Sequence, residues 1–144
     1  MTWVVAQTAL MVSIVVSWFF PPWITGDVAR IVAIVMLAAG GVLIVTTRLA
    51  MGRSFTVLPK PRAGGELVTR GPFQIVRHPT YLGFLLCLAG GSLLHSWTGL
   101  ALTGALALLW AGKARVEERY LEKRFPEYDS YRSRVRYRLV PFVY

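Results

Sequence analysis

Charge is what this sequence lacks over most of its length. No Asp, Glu, Lys or Arg lies between Met1 and Gly26, between Ile31 and Thr47, or between Arg77 and Lys113. Charged residues make up 16% of the 144 and hydrophobic ones 55%, against roughly 25% charged in ordinary soluble chains. Uncharged runs of this length exclude an ordinary water-dissolved domain, because a charge at the centre of a bilayer span costs about 2.5 kcal/mol or more and is kept out. Cysteine and histidine are nearly as scarce. The lone Cys87 cannot close an intrachain disulfide, and with two histidines no metal-ligand spacing exists, so no metal is expected.

What charge there is has one dominant sign and few locations. Sixteen Lys and Arg face seven Asp and Glu, a formal net charge of +9. Arg48, Arg53, Lys60, Arg62, Arg70 and Arg77 form one group. Lys113, Arg115, Arg119, Lys123, Arg124, Arg132, Arg134, Arg136 and Arg138 form the other, and Arg30 alone lies elsewhere. A basic protein of this charge is able to bind nucleic acid, but its charges are spaced by membrane-length apolar runs. A nucleic-acid partner is therefore not expected.

The apolar runs predict an all-α integral membrane protein of one domain with about four transmembrane helices, near residues 3–20, 28–50, 80–94 and 98–112. The first run ends at Pro21-Pro22 and has neither a basic n-region nor an A-x-A-like site, so it is not expected to be a cleaved signal peptide. The uncharged stretch 78–112 is too long for one helix and barely enough for two, and His95-Ser96-Trp97 is its best turn, giving a tight helical hairpin. Gly83, Cys87 and Gly90 form a small-residue stripe suited to close helix packing, and Gly104, Ala107 and Ala111 offer a second. The basic groups place segments 48–81 and 113–144, with both chain ends, in the cytoplasm.

Three polar constellations follow. In Arg77-His78-Pro79-Thr80-Tyr81, Pro79 suits the first position of a helix and His78 its N-cap. Free N–H groups, the helix dipole and the Arg77 charge then make an anion site, with Tyr81 on the same side as His78. A capped helix start with an interfacial Arg and Tyr explains the same residues. Glu117-Glu118 lies on a helix expected to stop at Phe125 before Pro126. Neighbouring residues point about 100° apart, so one pocket cannot use both carboxylates equally. A solvated helix with weak surface pairs is the plainer account. Finally, Phe125-Pro126-Glu127-Tyr128-Asp129-Ser130-Tyr131 leads into arginines at every second position, a tail able to lie on anionic headgroups.

The order of these pieces is more specific than any one of them. Leu67-Val68-Thr69-Arg70-Gly71-Pro72-Phe73 leads into Arg77-His78-Pro79-Thr80-Tyr81-Leu82-Gly83, and across a hairpin come Arg115-Val116-Glu117-Glu118 and Phe125-Pro126-Glu127-Tyr128. Over about residues 48–141 this resembles the isoprenylcysteine carboxyl methyltransferase and phospholipid methyltransferase superfamily. The resemblance implies S-adenosylmethionine bound at the cytosolic surface and a lipid-soluble acceptor arriving from the bilayer: a prenylcysteine-like carboxylate, a phospholipid amine or a small thiol. It implies cofactor contacts from Leu67, Val68, Phe73, His78, Pro79, Tyr81, Glu117 and Glu118. His78 and Glu117 would be catalytic, and Arg115 would face the acceptor. The chain departs from the pattern in having Gly65-Glu66 before the Leu-Val pair, where His is common, and Phe73 where Tyr is common. Methyl transfer from a sulfonium is an in-line displacement that depends on alignment, which supplies roughly 7–11 kcal/mol of a barrier, more than on a nucleophilic residue. Two other functions fit parts of the chain. One is an NADPH-dependent membrane reductase of sterol-reductase type, reminiscent in the ending Arg136 to Tyr144; the other is a non-catalytic adaptor that binds anionic lipid.

Overall fold

The computed structural model describes residues 2–20, 26–52 and 66–141. Within them the chain forms α1 (Thr2–Ser17), α2 (Asp27–Met51), a short 3-10 turn (Gly71–Gln74), α3 (Pro79–His95), α4 (Trp97–Arg124) and α5 (Tyr128–Arg134), and no strand. The all-α expectation holds. Helix α2 is long and apolar enough to cross a membrane; α1 and α3 are shorter apolar helices. The first apolar run is helical only to Ser17, with residues 18–20 in a turn, so α1 is shorter than the expected 3–20. Beyond the fourth apolar run, α4 continues through its charged portion to Arg124, and Phe125 caps it before Pro126, where the helix was expected to stop.

The α3–α4 junction forms where the polar triplet placed it. Ser96 is the single residue between the helices, extended at φ −162° and ψ 122°. Its hydroxyl accepts from Gly99 N–H at 3.1 Å, meeting one of the donors that a helix start leaves without a partner.

Helices α2 and α3 pack most extensively. Ala33 lies against Gly90 and Gly40 against Gly83, so the pair runs antiparallel. A Cβ on Gly40 would sit 2.6 Å from both the Gly83 carbonyl oxygen and Cys87 Sγ. Apolar burial gives little drive between helices in lipid, where close backbone approach supplies dispersion contact instead. The Gly83, Cys87, Gly90 stripe therefore does what its spacing suggests. Gly104 does not: it is exposed, with open space where a Cβ would stand. The packing face of α4 is instead Gly99, Thr103, Leu106 and Trp110.

Helix α1 packs antiparallel on α4, with Trp3 near Gly112 and Ser17 near Gly99. The central core joins Ile14, Leu85, Leu88, Leu106, Trp110, Ala114 and Leu139. Leu139 belongs to the tail, so the C-terminal segment folds back onto the helices. The outward face of α2 is apolar, with Val28, Ile31, Ile34, Val35, Val42 and Leu49 all more than half exposed. An exposed stripe of this kind suits contact with lipid and not with water.

Candidate functional site

Pro79 opens α3 and His78 is its N-cap, as the local chemistry required. His78 makes no side-chain cap; its ring is turned toward α4 instead. The tail then closes on this corner through the backbone. Arg77 N–H donates to Tyr137 O and His78 N–H to Arg138 O, both at 3.0 Å.

Across from His78, one turn of α4 presents both carboxylates. The imidazole stands between them, with Nδ1 3.5 Å from Glu117 Oε2 and Nε2 3.3 Å from Glu118 Oε1. Their surroundings differ sharply. Glu118 is 3% exposed and enclosed by guanidinium groups. Arg77 Nε donates to Oε1 at 2.9 Å, while Arg138 meets both oxygens, through Nε at 3.0 Å and Nη2 at 2.9 Å. Burial alone would raise the Glu118 pKa. Hydrogen bonds from His78 and Arg138, with the charges of His78 and Arg77, outweigh it and bring the pKa down to about 2. Glu118 is thus a fixed anion with its oxygens already engaged.

Glu117 has a weaker set of partners. Its Oε1 accepts from the Tyr81 hydroxyl at 2.7 Å and lies 3.8 Å from Lys113 Nζ. Burial pushes its pKa up, partly opposed by His78, Tyr81 and Lys113, with Glu118 adding to the rise. Two adjacent carboxylates driven in opposite directions by their settings are a recognised way to separate roles. The 100° offset along the helix does hand them different partners, yet both reach the one imidazole.

A stack of rings backs the site. His78 lies parallel to Tyr81 with centroids 5.5 Å apart, and Tyr81 to Trp110 at 4.8 Å. Lys113 is 1% exposed. Its ammonium sits 5.4 Å over the Tyr81 ring and donates to Gln7 Oε1 at 2.8 Å. Trp110 Nε1 donates to the same oxygen at 3.2 Å, so α1 is tied to the site through Gln7.

The structure brings together His78, Pro79, Tyr81, Glu117 and Glu118. It groups the remaining expected contacts elsewhere. Leu67, Val68 and Phe73 pack in a second cluster with Tyr128, Tyr131 and Val135, where Phe73 O accepts from the Tyr131 hydroxyl at 2.7 Å. Arg115 is exposed on α4, about 200° around the helix from Glu117. Residues 53–65, with Arg53, Lys60, Arg62 and Gly65, lie outside the described residues.

Three sequence expectations change. Arg77 is not a free charge at the helix start: it is 9% exposed and bound to Glu118 and to Val135 O at 3.1 Å. Glu117 and Glu118 are not on a solvated helix face, because the tail and α3 cover them. Arg138 does not point out of a uniformly basic tail. The arginine alternation spans the end of α5 and the non-helical chain after it, and that change of conformation turns Arg138 inward onto Glu118. Sequence reasoning missed Gln7, Trp110, Lys113 and Arg138 as parts of the site. Gln7 had a visible signal, a long polar side chain in an otherwise apolar helix. Arg138 had none.

Among the described residues no group of three or more His, Cys, Asp or Glu is arranged to hold a metal ion. Residues 28–128 match the phospholipid methyltransferase family. The chain is 36% identical over 113 residues to protein-S-isoprenylcysteine O-methyltransferase B of Arabidopsis thaliana, covering 75% of this chain and 57% of that protein. It is 40% identical over 78 residues to the cobalt-zinc-cadmium resistance protein CzcN of Cupriavidus metallidurans, covering 51% of this chain and 35% of that protein. It is 35% identical over 85 residues to the delta(14)-sterol reductase TM7SF2 of Mus musculus, covering 56% of this chain and 20% of that protein. The chain spans from about a fifth to under two thirds of the length of these relatives.

Proposed function

Because the chain belongs to the phospholipid methyltransferase family, we propose that it transfers a methyl group from S-adenosylmethionine to a lipid-soluble acceptor, at a site facing the cytoplasm. The observation that carries this reading is the His78 imidazole held between Glu117 and Glu118 at the start of α3. The donor set fits the cofactor. Glu117 is a half-buried carboxylate able to accept from an ammonium or a ribose hydroxyl. When bound, S-adenosylmethionine supplies an activated methyl on a cationic sulfur.

The residues then divide the work. Glu117, His78 and Tyr81 bind and orient the cofactor's amino-acid end and hydroxyls. Glu118, with Arg77 and Arg138, fixes His78 and clamps the tail. Leu67, Val68 and Phe73 support the site from the neighbouring cluster. An amine or thiol acceptor must lose a proton, which His78 or Glu117 takes, whereas a carboxylate acceptor needs no base. The similarity to an isoprenylcysteine O-methyltransferase of Arabidopsis makes a prenylcysteine-like carboxylate the first acceptor to try.

Four membrane crossings, by α1, α2, α3 and the first part of α4, put both ends of the chain and the site on the cytoplasmic side. Helices of 16 and 17 residues reach about 24 and 26 Å, a little under a typical hydrocarbon core of about 30 Å. That shortness keeps the start of α3 close to the headgroups.

The test is transfer of labelled methyl from S-adenosylmethionine into the organic phase of a lipid extract. The proposal expects wild-type protein to label it and His78→Ala to lose most of that label. A second reading, an NADPH-dependent reductase, is favoured by the match to the mouse sterol reductase. NADPH oxidation by the extract with no methyl label would establish it instead.

A further inference from the structure

α5 and the chain that leaves it shape an open cleft on the far side of Arg77, of about 490 Å³, lined by Arg77, Asp129, Arg132, Ser133 and Arg136. Among the described residues no apolar side chain lines it. Three guanidinium groups against one carboxylate give the lining a formal charge of +2, counted as three Arg minus one Asp. Two of the arginines are partly engaged: Arg132 pairs with Glu122 at 2.6 Å, and Arg77 serves Glu118 and Val135. Arg136 is exposed and has no ion-pair or hydrogen-bond partner among the described residues. The cleft is large for a bare phosphate and lies within the range of sites that hold small organic ligands.

We propose that this cleft binds a phosphate ester through Arg136 and Arg132, with Arg77 as the wall it shares with the His78–Glu118 cluster. Guanidinium groups match phosphate oxygens in pairs and are the usual readers of this group. The polar lining formed by the described residues suits a headgroup and not an acyl chain, so a lipid would present its headgroup there.

The position gives the site a regulatory consequence, which rests on the methyl-donor reading above. Arg77 belongs to the segment before α3, and Arg132 and Arg136 belong to the tail. An anion between them cross-links the two segments whose meeting builds the donor site. Arg77 lies 2.9 Å from Glu118, which lies 3.3 Å from His78. Occupancy of the cleft therefore tightens donor binding, and donor binding tightens the cleft by the same factor.

The test uses the full chain in nanodiscs that mix phosphatidylcholine with phosphatidylglycerol, reading retained lipid by native mass spectrometry. Wild-type protein retains phosphatidylglycerol selectively, and Arg136→Gln lowers that retention about tenfold, as loss of one charge-assisted contact predicts. Arg132→Gln lowers it too. Equal retention by wild type and Arg136→Gln overturns the site. An added arm of inorganic phosphate separates the sources: displacement of the lipid assigns the cleft to free phosphate esters, and persistence assigns it to the headgroup. Binding of S-adenosylhomocysteine is measured in the same discs. Wild-type affinity that rises with phosphatidylglycerol, and fails to rise in Arg136→Gln, supports the coupling, and an unchanged wild-type affinity refutes it. If no disc shows S-adenosylhomocysteine binding, the donor reading fails while lipid retention still decides the cleft.

Discussion

At the scale of single residues, Glu117 and Glu118 are neighbours in sequence with opposite surroundings, and the difference yields opposite predictions. Glu118 is depressed in the folded state to about 2 from 4.5. A depressed carboxylate stabilises the fold above its unfolded pKa and loses that stabilisation as pH falls through the folded value. Thermal stability in detergent is therefore expected to drop between about pH 4.5 and 2, and Glu118→Gln to abolish much of that dependence. Glu118→Gln also leaves Arg77 and Arg138 without their shared anion. The cost is about 3 kcal/mol, the scale of breaking one side of a buried ion pair. Glu117 has the reverse sign. Its raised pKa penalises the folded state above that pKa, so Glu117→Gln is expected to match or exceed wild-type stability at neutral pH while binding the methyl donor at least about tenfold more weakly. A thermal melt and a donor titration on the same sample separate the two effects.

Elements were legible where their signals were local. Ser96 as a cap, Pro79 as a first helical residue and Pro126 as a stop each act within a turn of chain, and each boundary formed where that chemistry placed it. Ser96→Ala is expected to cost about 1 kcal/mol through the lost cap, read as a lower melting temperature. The Gly83, Cys87, Gly90 spacing was readable too, because α2 supplies a matching Gly40 and Ala33. Gly40→Leu is expected to force α2 off α3 and yield little folded protein, whereas Gly104→Leu, with open space at its Cβ, is expected to leave folding unchanged; yield by size-exclusion chromatography tests both. What no local pattern carried was the partner across space. Arg138 looks like the other tail arginines until the tail folds back, and Gln7 has no counterpart in sequence to announce Trp110 and Lys113. Phe73 was expected to contact the cofactor, and its place is set by Tyr128 and Tyr131, some 55 residues away in sequence.

For the whole molecule, the arrangement gathers nearly all its buried charge at one end of an otherwise apolar bundle. The positive-inside reading rests on the basic residues that flank the apolar runs at that same end, and it predicts sidedness. In a Cys87→Ala background, a cysteine at Ser96 is expected to react with an impermeant maleimide only from outside the cell, and one at Arg134 only after the membrane is opened. The proposed methyl-donor site is built between α3, α4 and the tail. Titration calorimetry of the protein in nanodiscs tests it most directly, with S-adenosylhomocysteine and NADPH run separately. Binding of S-adenosylhomocysteine that weakens in both His78→Ala and Glu117→Gln is expected, with no binding of NADPH. Heat from NADPH alone, or S-adenosylhomocysteine affinity unchanged in both variants, would contradict it.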